Sequence, residues 1–334
     1  MSDETRQHEG LHSPGGTALE AIEPTRRWTP GRIVLQSIGF VVSIGLLVWA
    51  ASRAFGAENR ESVDRLLDAP LWAVGVFVLL TAGGIALNGL MFWLTLRPLG
   101  GRVPAIDMIA TNALCTFLAI LPFKLGAVAR VLIHKRRDGI HFKRIVPWFA
   151  AMTALAVAAM LPLAAASAWR GQIDALWWLL GVGGGVACVA LGVWLSRIAE
   201  RVKALRWMSV GAYEVTRDAR TGALVTLCRW GDVATLAGRF LLAAWIVQTP
   251  MGVGDAVLQA TLFFLISVAA PAGTLGMREA GVAGLALAQS KDGADIALVA
   301  LTITAAELVT SGVLGVLAAW RLRVDRVLLS RRRV

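Results

Sequence analysis

The residues of this sequence with chemistry to offer are ionisable side chains set inside uncharged runs. Lys124 and Arg130 follow Pro122 in LPFKLGAVARVLIHKRRDG, where Arg130, His134 and Arg137 share one helical face at i, i+4 and i+7. Arg278 and Glu279 follow Pro271, Gly273 and Gly276 in APAGTLGMREAG. Arg229, Asp232 and Arg239 fall within an arc of ~80° on a helical wheel. Glu307 is the one acid of the last apolar run, with Thr304, Thr310 and Ser311 on its face. A charge at mid-bilayer costs ~2.5–3.5 kcal/mol on insertion scales, so these faces must turn toward a bundle interior. Guanidinium and ammonium groups beside the open N–H groups of a helix start form a phosphate cradle. The chemistry expected is recognition of an anionic headgroup.

Bond-making machinery is not visible. There is no metal-spaced His/Cys/Asp set, no G-x-S-x-G, no P-loop and no dinucleotide fingerprint, so no metal, no cofactor and no enzymatic activity are expected. A membrane-embedded transferase resting on one carboxylate, such as Glu307, is the enzymatic alternative. Each charged site also has a structural reading. Lys124 and Arg130 can snorkel to lipid phosphates as anchors. Arg229 and Asp232 suit an i, i+3 structural ion pair. Arg278 and Glu279, ~100° apart on a helix, are expected to seek partners elsewhere rather than each other. Glu307 is read as a polar helix contact or as the counter-charge to Arg239, Arg278 or Lys124. Cys115, Cys188 and Cys228 lie in apolar segments and read as small buried hydrophobes.

The elements that must position these groups are membrane spans. The chain has 334 residues, 57% hydrophobic and 16% charged, far from the roughly 25% charged of a soluble domain. The uncharged runs Ile33–Ser52, Leu71–Leu96, Ile145–Trp169 and Ala175–Ser196 each suffice to cross a bilayer. A soluble enzyme, a nucleic-acid module and a disulfide-stapled domain are excluded. The net charge of +11 then reflects basic loops facing anionic lipid rather than a nucleic-acid partner. The 28 Arg against 5 Lys suit phosphate recognition, or a codon bias. Further spans are expected at 223–248 and 294–320, with broken apolar segments at 108–123 and 256–277. Residues 1–32 read as a disordered polar tail with His8 and His12, and residues 321–334 as a basic tail. Trp49, Trp72, Trp93, Trp148, Trp169, Trp177, Trp178, Trp194 and Trp320 stand at segment ends, as in an interfacial aromatic belt.

The two halves, 33–169 and 175–320, repeat. Pro122 and Pro271 are 149 residues apart, Leu125-Gly126 and Leu275-Gly276 are 150 apart, and neighbouring segment starts agree to within three residues of these offsets. For a chain starting in the cytoplasm, 25 Lys and Arg fall in inside segments and 6 outside, which places both termini inside. The seven basic residues of 122–144 stay inside only if the segment before them dips in and returns. The expected fold is therefore an all-α polytopic membrane bundle. It contains two inverted repeats, each of three spans plus a Pro/Gly-broken re-entrant hairpin, with a site near the midplane.

At these residues the chain resembles a known family. LAILPFKLGAVARVLIHKRRDG is similar to the P-x-x-x-G-x-x-x-R block of the lysylphosphatidylglycerol synthase transmembrane, flippase-like family. APAGTLGMREAGVAGL is similar to its second signature, P-x-G-x-L-G-x-R-E. The resemblance runs from about residue 33 to 320. Ala127 stands where the family often has an acid, and Glu307 lies in a span where it often has Arg. The resemblance implies a multi-pass bacterial inner-membrane protein that translocates lipids, lipid-linked sugars or related amphiphiles. The positions carried over are Pro122, Gly126, Arg130, Pro271, Gly273, Gly276, Arg278 and Glu279. The soluble aminoacyl-transferase domain of fused members is missing from this sequence, so lipid modification is not carried over. The reading is a translocator of an anionic phospholipid or polyprenyl-linked phosphate, with Lys124, Arg130, Arg239, Arg278, Glu279 and Glu307 at the headgroup. The alternatives are a non-transporting partner of an envelope-lipid enzyme, and the transferase. A homo-oligomer is compatible with each.

Overall fold

The computed structural model describes residues 30–120, 125–202, 212–270, 274–289 and 293–324. Pro122, Lys124, Pro271 and Gly273 lie outside the described residues, as do nearly all of both tails. Regular structure among the described residues is helical throughout. The first half contains α1 (Pro30–Ala54), α2 (Arg60–Leu67), α3 (Leu71–Leu96), α4 (Ala105–Ile120), α5 (Leu125–Arg136) and α6 (Phe142–Arg170). The second contains α7 (Ala175–Ala199), α8 (Tyr213–Thr216), α9 (Ala219–Val247), α10 (Val253–Ala269), α11 (Met277–Ala288) and α12 (Gly293–Arg321). Six of these are long and apolar enough to cross a membrane: α1, α3, α6, α7, α9 and α12. The protein is an all-α multi-pass membrane bundle. The amphipathic α2, between the first two spans, was not expected from the sequence; its Arg65 Nη1 donates to the Val247 carbonyl at the end of α9.

The broken segments fold as two pairs of short helices. Arms of 16 and 12 residues (α4, α5) and of 17 and 12 residues (α10, α11) fall short of the ~20 residues a crossing needs. The two arms of each pair pack side by side. Glycine makes both pairs possible. A Cβ on Gly126 would lie 2.2 Å from the Cys115 carbonyl oxygen of the facing arm. Gly276 has φ +84°, and a Cβ there would lie 2.0 Å from the Ser43 carbonyl oxygen of α1. The first glycine lets arm meet arm; the second lets the second pair rest on α1.

Several contacts of the first half have counterparts in the second. At the centre α3 lies along α9. The first arm α4 packs on α12, the last span of the other half, and α10 packs on α6 in the same way. The outer α1 packs on α12, and α7 on α6. Each half therefore places its first hairpin arm against the other half's final span.

The outer faces are apolar, as lipid demands: Val309, Val313, Val316 and Leu317 form one exposed stripe along α12. Three details depart from the sequence reading. Trp148 is buried, with its Nε1 donating to the Phe92 carbonyl and to Thr95 Oγ1. Trp177 is buried on Ser167. Neither belongs to an interfacial belt, because each indole N–H finds an acceptor inside the bundle. Cys188 is exposed on α7 rather than buried, as befits a thiol on a lipid-facing side.

Candidate functional site

A cavity of about 200 Å³ opens where the central helices meet the two hairpins. The helix α3 contributes Thr81, Gly84 and Asn88; α4 contributes Thr116; α9 contributes Asp232 and Arg239. From the second hairpin come Phe263, Ser267 and Arg278, and from α12 comes Glu307, at the midpoint of that span. Gly84 is the residue that makes room. A Cβ there would sit 3.0 Å from both Asp232 Oδ1 and Thr235 Oγ1 and 3.8 Å from Arg239 Nη2.

The charges around this cavity are unequally satisfied. Glu279 is fully buried, accepting the Gly276 N–H at 2.7 Å, the Thr304 hydroxyl and Arg278 Nε at 3.0 Å. Arg278 also holds Glu307 through Nη1 at 2.9 Å, and its guanidinium lies 4.4 Å from the Phe263 ring centroid. Arg278 and Glu279 therefore do pair, contrary to the helical-wheel expectation. The reason is the helix start: Glu279 turns back to cap the open Gly276 N–H, and that turn carries its other oxygen to Arg278. Arg229 pairs with Asp232 at 2.7 Å, the i, i+3 contact read from the spacing, and lies 4.2 Å over Phe264.

Arg239 is the exception. It is 6% exposed, its Nε has no acceptor, and among the described residues it makes no hydrogen bond or ion pair. Its guanidinium faces the cavity beside Gly84.

Arg130 lies elsewhere. It is buried on α5, where Nη2 donates to Asn112 Oδ1 and the guanidinium stacks 3.7 Å from the Phe92 ring centroid. Asn112 in turn donates to the Ile85 carbonyl of α3 at 2.8 Å. His134, one turn on, is held by Asp138 at 2.7 Å. Near that end Asp107 of α4 accepts from Arg137 at 2.6 Å and from Arg321 at 3.0 Å, fastening the first hairpin to the end of α12. The structure thus gathers Arg239, Arg278, Glu279 and Glu307 with Asp232 and Arg229 into one cluster and sets Arg130 apart from it. Asn88, Asn112, Thr81 and Gly84 went unread in the sequence; for Asn88 and Asn112 a side-chain amide inside an uncharged run was the visible signal. Among the described residues no group of three His, Cys, Asp or Glu side chains converges to hold a metal ion.

A family model described as "Lysylphosphatidylglycerol synthase TM region" matches residues 36–315. The chain belongs to that family. The match reaches into all six spans and includes both hairpins of this family member and the whole charged cluster. The lysylphosphatidylglycerol synthase TM region is a membrane domain associated with lipid handling. No curated protein and no solved structure matches the chain.

Proposed function

We propose that this family member is a flippase-like translocator, not an enzyme, that carries an anionic lipid or lipid-linked phosphate across the bacterial inner membrane with both its termini in the cytoplasm. One observation carries the reading: a buried, unpartnered guanidinium, Arg239, faces a cavity deep in the bundle. A cation in that position raises the energy of the empty protein, and an anion of the right size relieves it. A headgroup phosphate accepts the guanidinium's N–H groups two at a time. Arg278 plays a different part. Glu279, Glu307 and Thr304 already occupy its donors, so it forms the wall that holds the second hairpin to α12. The cavity is smaller than the 300–1,000 Å³ of drug-sized ligand sites, which favours a compact headgroup over an oligosaccharide. Acyl chains stay in lipid along the apolar outer faces. The corresponding packing of the two halves supports an inverted repeat that rocks about the hairpins to open the cavity to each side in turn.

The test is leaflet transfer in vesicles of phosphatidylcholine that carry the purified full chain and a fluorescent-tagged phosphatidylglycerol. An impermeant quencher reports the exposed fraction. The expected result is transfer by the wild-type protein and its loss in Arg239→Met. No transfer by the folded wild type, or equal transfer by both proteins, contradicts the reading.

A further inference from the structure

Charge pairing around the cavity points to a second passenger. Among the described residues three guanidiniums, Arg229, Arg239 and Arg278, face three carboxylates, Asp232, Glu279 and Glu307. The cluster is neutral in sum but lopsided in arrangement. Arg229 is ion-paired with one carboxylate and Arg278 with two, whereas Arg239 is ion-paired with none and feels Glu307 and Asp232 only at longer range. An anionic headgroup that docks on Arg239 leaves the cluster with one negative charge too many, and that excess lies on Arg278, between Glu279 and Glu307. In a medium of low polarity an uncompensated charge is expelled or neutralised.

The geometry selects where neutralisation occurs. A proton on Asp232 would strip Arg229, 1% exposed and with its Nε already unpartnered, of its counter-ion. A proton on Glu279 would set one of its oxygens against the Gly276 N–H or the Thr304 hydroxyl, both of which it accepts. Glu307 has neither difficulty. It borders the cavity, its side chain is 18% exposed, and Arg278 keeps Glu279 when Glu307 becomes neutral. The charged groups facing it are Arg278 and Glu279 from α11, and Arg239 and Asp232 from α9. The cavity faces of α3 and α4 present Thr81, Asn88 and Thr116, none of which titrates.

We propose that Glu307 binds one proton with each anionic headgroup that occupies the cavity, so that headgroup and proton move as an electroneutral pair. This rests on the headgroup seat at Arg239. The proton comes from water onto a Glu307 carboxylate oxygen and returns to water when the headgroup leaves. With both bound, Arg229–Asp232, Arg278–Glu279 and Arg239–phosphate are three one-to-one pairs and no charge is left over.

The test is calorimetric binding of dioctanoyl phosphatidylglycerol to the full chain in phosphatidylcholine nanodiscs. This lipid is a phosphodiester whose charge is constant over the pH range in which a carboxylate titrates, so any pH dependence belongs to the protein. Titrations in two buffers of different ionisation enthalpy count the protons taken up per lipid bound. For the wild type, uptake should approach one proton on the alkaline side, and affinity should fall tenfold per pH unit there. Glu307→Gln should bind the lipid with no uptake and no pH dependence, while Glu307→Asp should retain uptake. Lipid binding by the wild type without uptake across the range overturns the proposal and leaves the Arg239 seat standing, as does undiminished uptake in Glu307→Gln. A folded wild type that does not bind the lipid at all overturns both. The wild-type proton count decides the matter even where a variant does not fold.

Discussion

Arg239→Met should make the protein more stable and less active at once. Methionine keeps the length of an unbranched side chain and removes the charge. Arg239 makes no hydrogen bond or ion pair among the described residues, so its removal leaves no acceptor without its donor. The burden of an Arg at the centre of a spanning helix is ~2.5–3.5 kcal/mol. Its terminal N–H groups face a cavity, which lowers that burden, so a gain of about 1–3 kcal/mol is expected. At ~2 °C per kcal/mol for a large domain, the apparent melting temperature should rise by ~2–6 °C. The 13 tryptophans supply the fluorescence signal for the melt. Loss of charge-assisted bonds to the headgroup, worth ~1.5–3 kcal/mol, should slow leaflet transfer by about 10–100-fold. The control is the same exchange at Arg278, where Glu279 and Glu307 would both lose their partner. A melting temperature that falls for Arg239→Met as it does for Arg278→Met would show that Arg239 is an ordinary member of a structural ion-pair network, and the reasoning would fail.

Glu279→Ala removes the acceptor of the Gly276 N–H, the Thr304 hydroxyl and Arg278 Nε, and should lower stability by about 3–5 kcal/mol in chemical or thermal unfolding. Gly276→Ala should reduce folded yield sharply, since the new methyl group meets the Ser43 carbonyl at φ +84°; Gly284→Ala, with nothing within 4 Å, should leave size-exclusion profile and melt unchanged. Asp218 caps α9, and its carboxyl lies below the usual carboxylate range chiefly because the Thr221 hydroxyl donates to it, with the Arg220 and Thr221 N–H groups adding to the effect. A depressed value means stability that is present above the unfolded pKa and lost as pH falls through the folded one. Asp218→Ala should therefore cost about 1 kcal/mol at neutral pH, and melts of the two proteins should converge in strong acid.

The six spans were legible because a bilayer demands about twenty uncharged residues, and the sequence supplies them in plain runs. The hairpins were legible because Pro122, Gly126, Pro271 and Gly276 interrupt otherwise apolar segments whose arms are too short to cross. One pairing followed from helical periodicity alone, Arg229 with Asp232; Glu307 was open between a polar helix contact and a counter-charge to Arg239, Arg278 or Lys124, and it pairs with Arg278. What the wheel could not supply was where a flexible side chain ends. It fixes the direction of Cβ, but Glu279 bends back over its own helix start and so reaches a neighbour that points ~100° away. It also ranks Arg239 and Arg278 alike, since both are Arg in apolar surroundings. Only three-dimensional packing separates the one that is held by two carboxylates from the one that is held by none. Arg130 illustrates the same limit. Its partner, Asn112, is eighteen residues away on the opposite arm, and Trp148 is buried because Phe92 and Thr95 of another helix offer it acceptors.

The claim that a headgroup occupies this cavity is tested most directly by photo-crosslinking from inside it. A photoreactive amino acid at Ser267, which borders the cavity, and another at Val313, on the lipid-facing stripe of α12, would be activated in vesicles that contain phosphatidylglycerol with a phosphorus label. The account predicts a labelled adduct at Ser267 that disappears in Arg239→Met, while the Val313 adduct is the same in both backgrounds. A Ser267 adduct that persists in Arg239→Met, or labelling at Val313 alone, would contradict it.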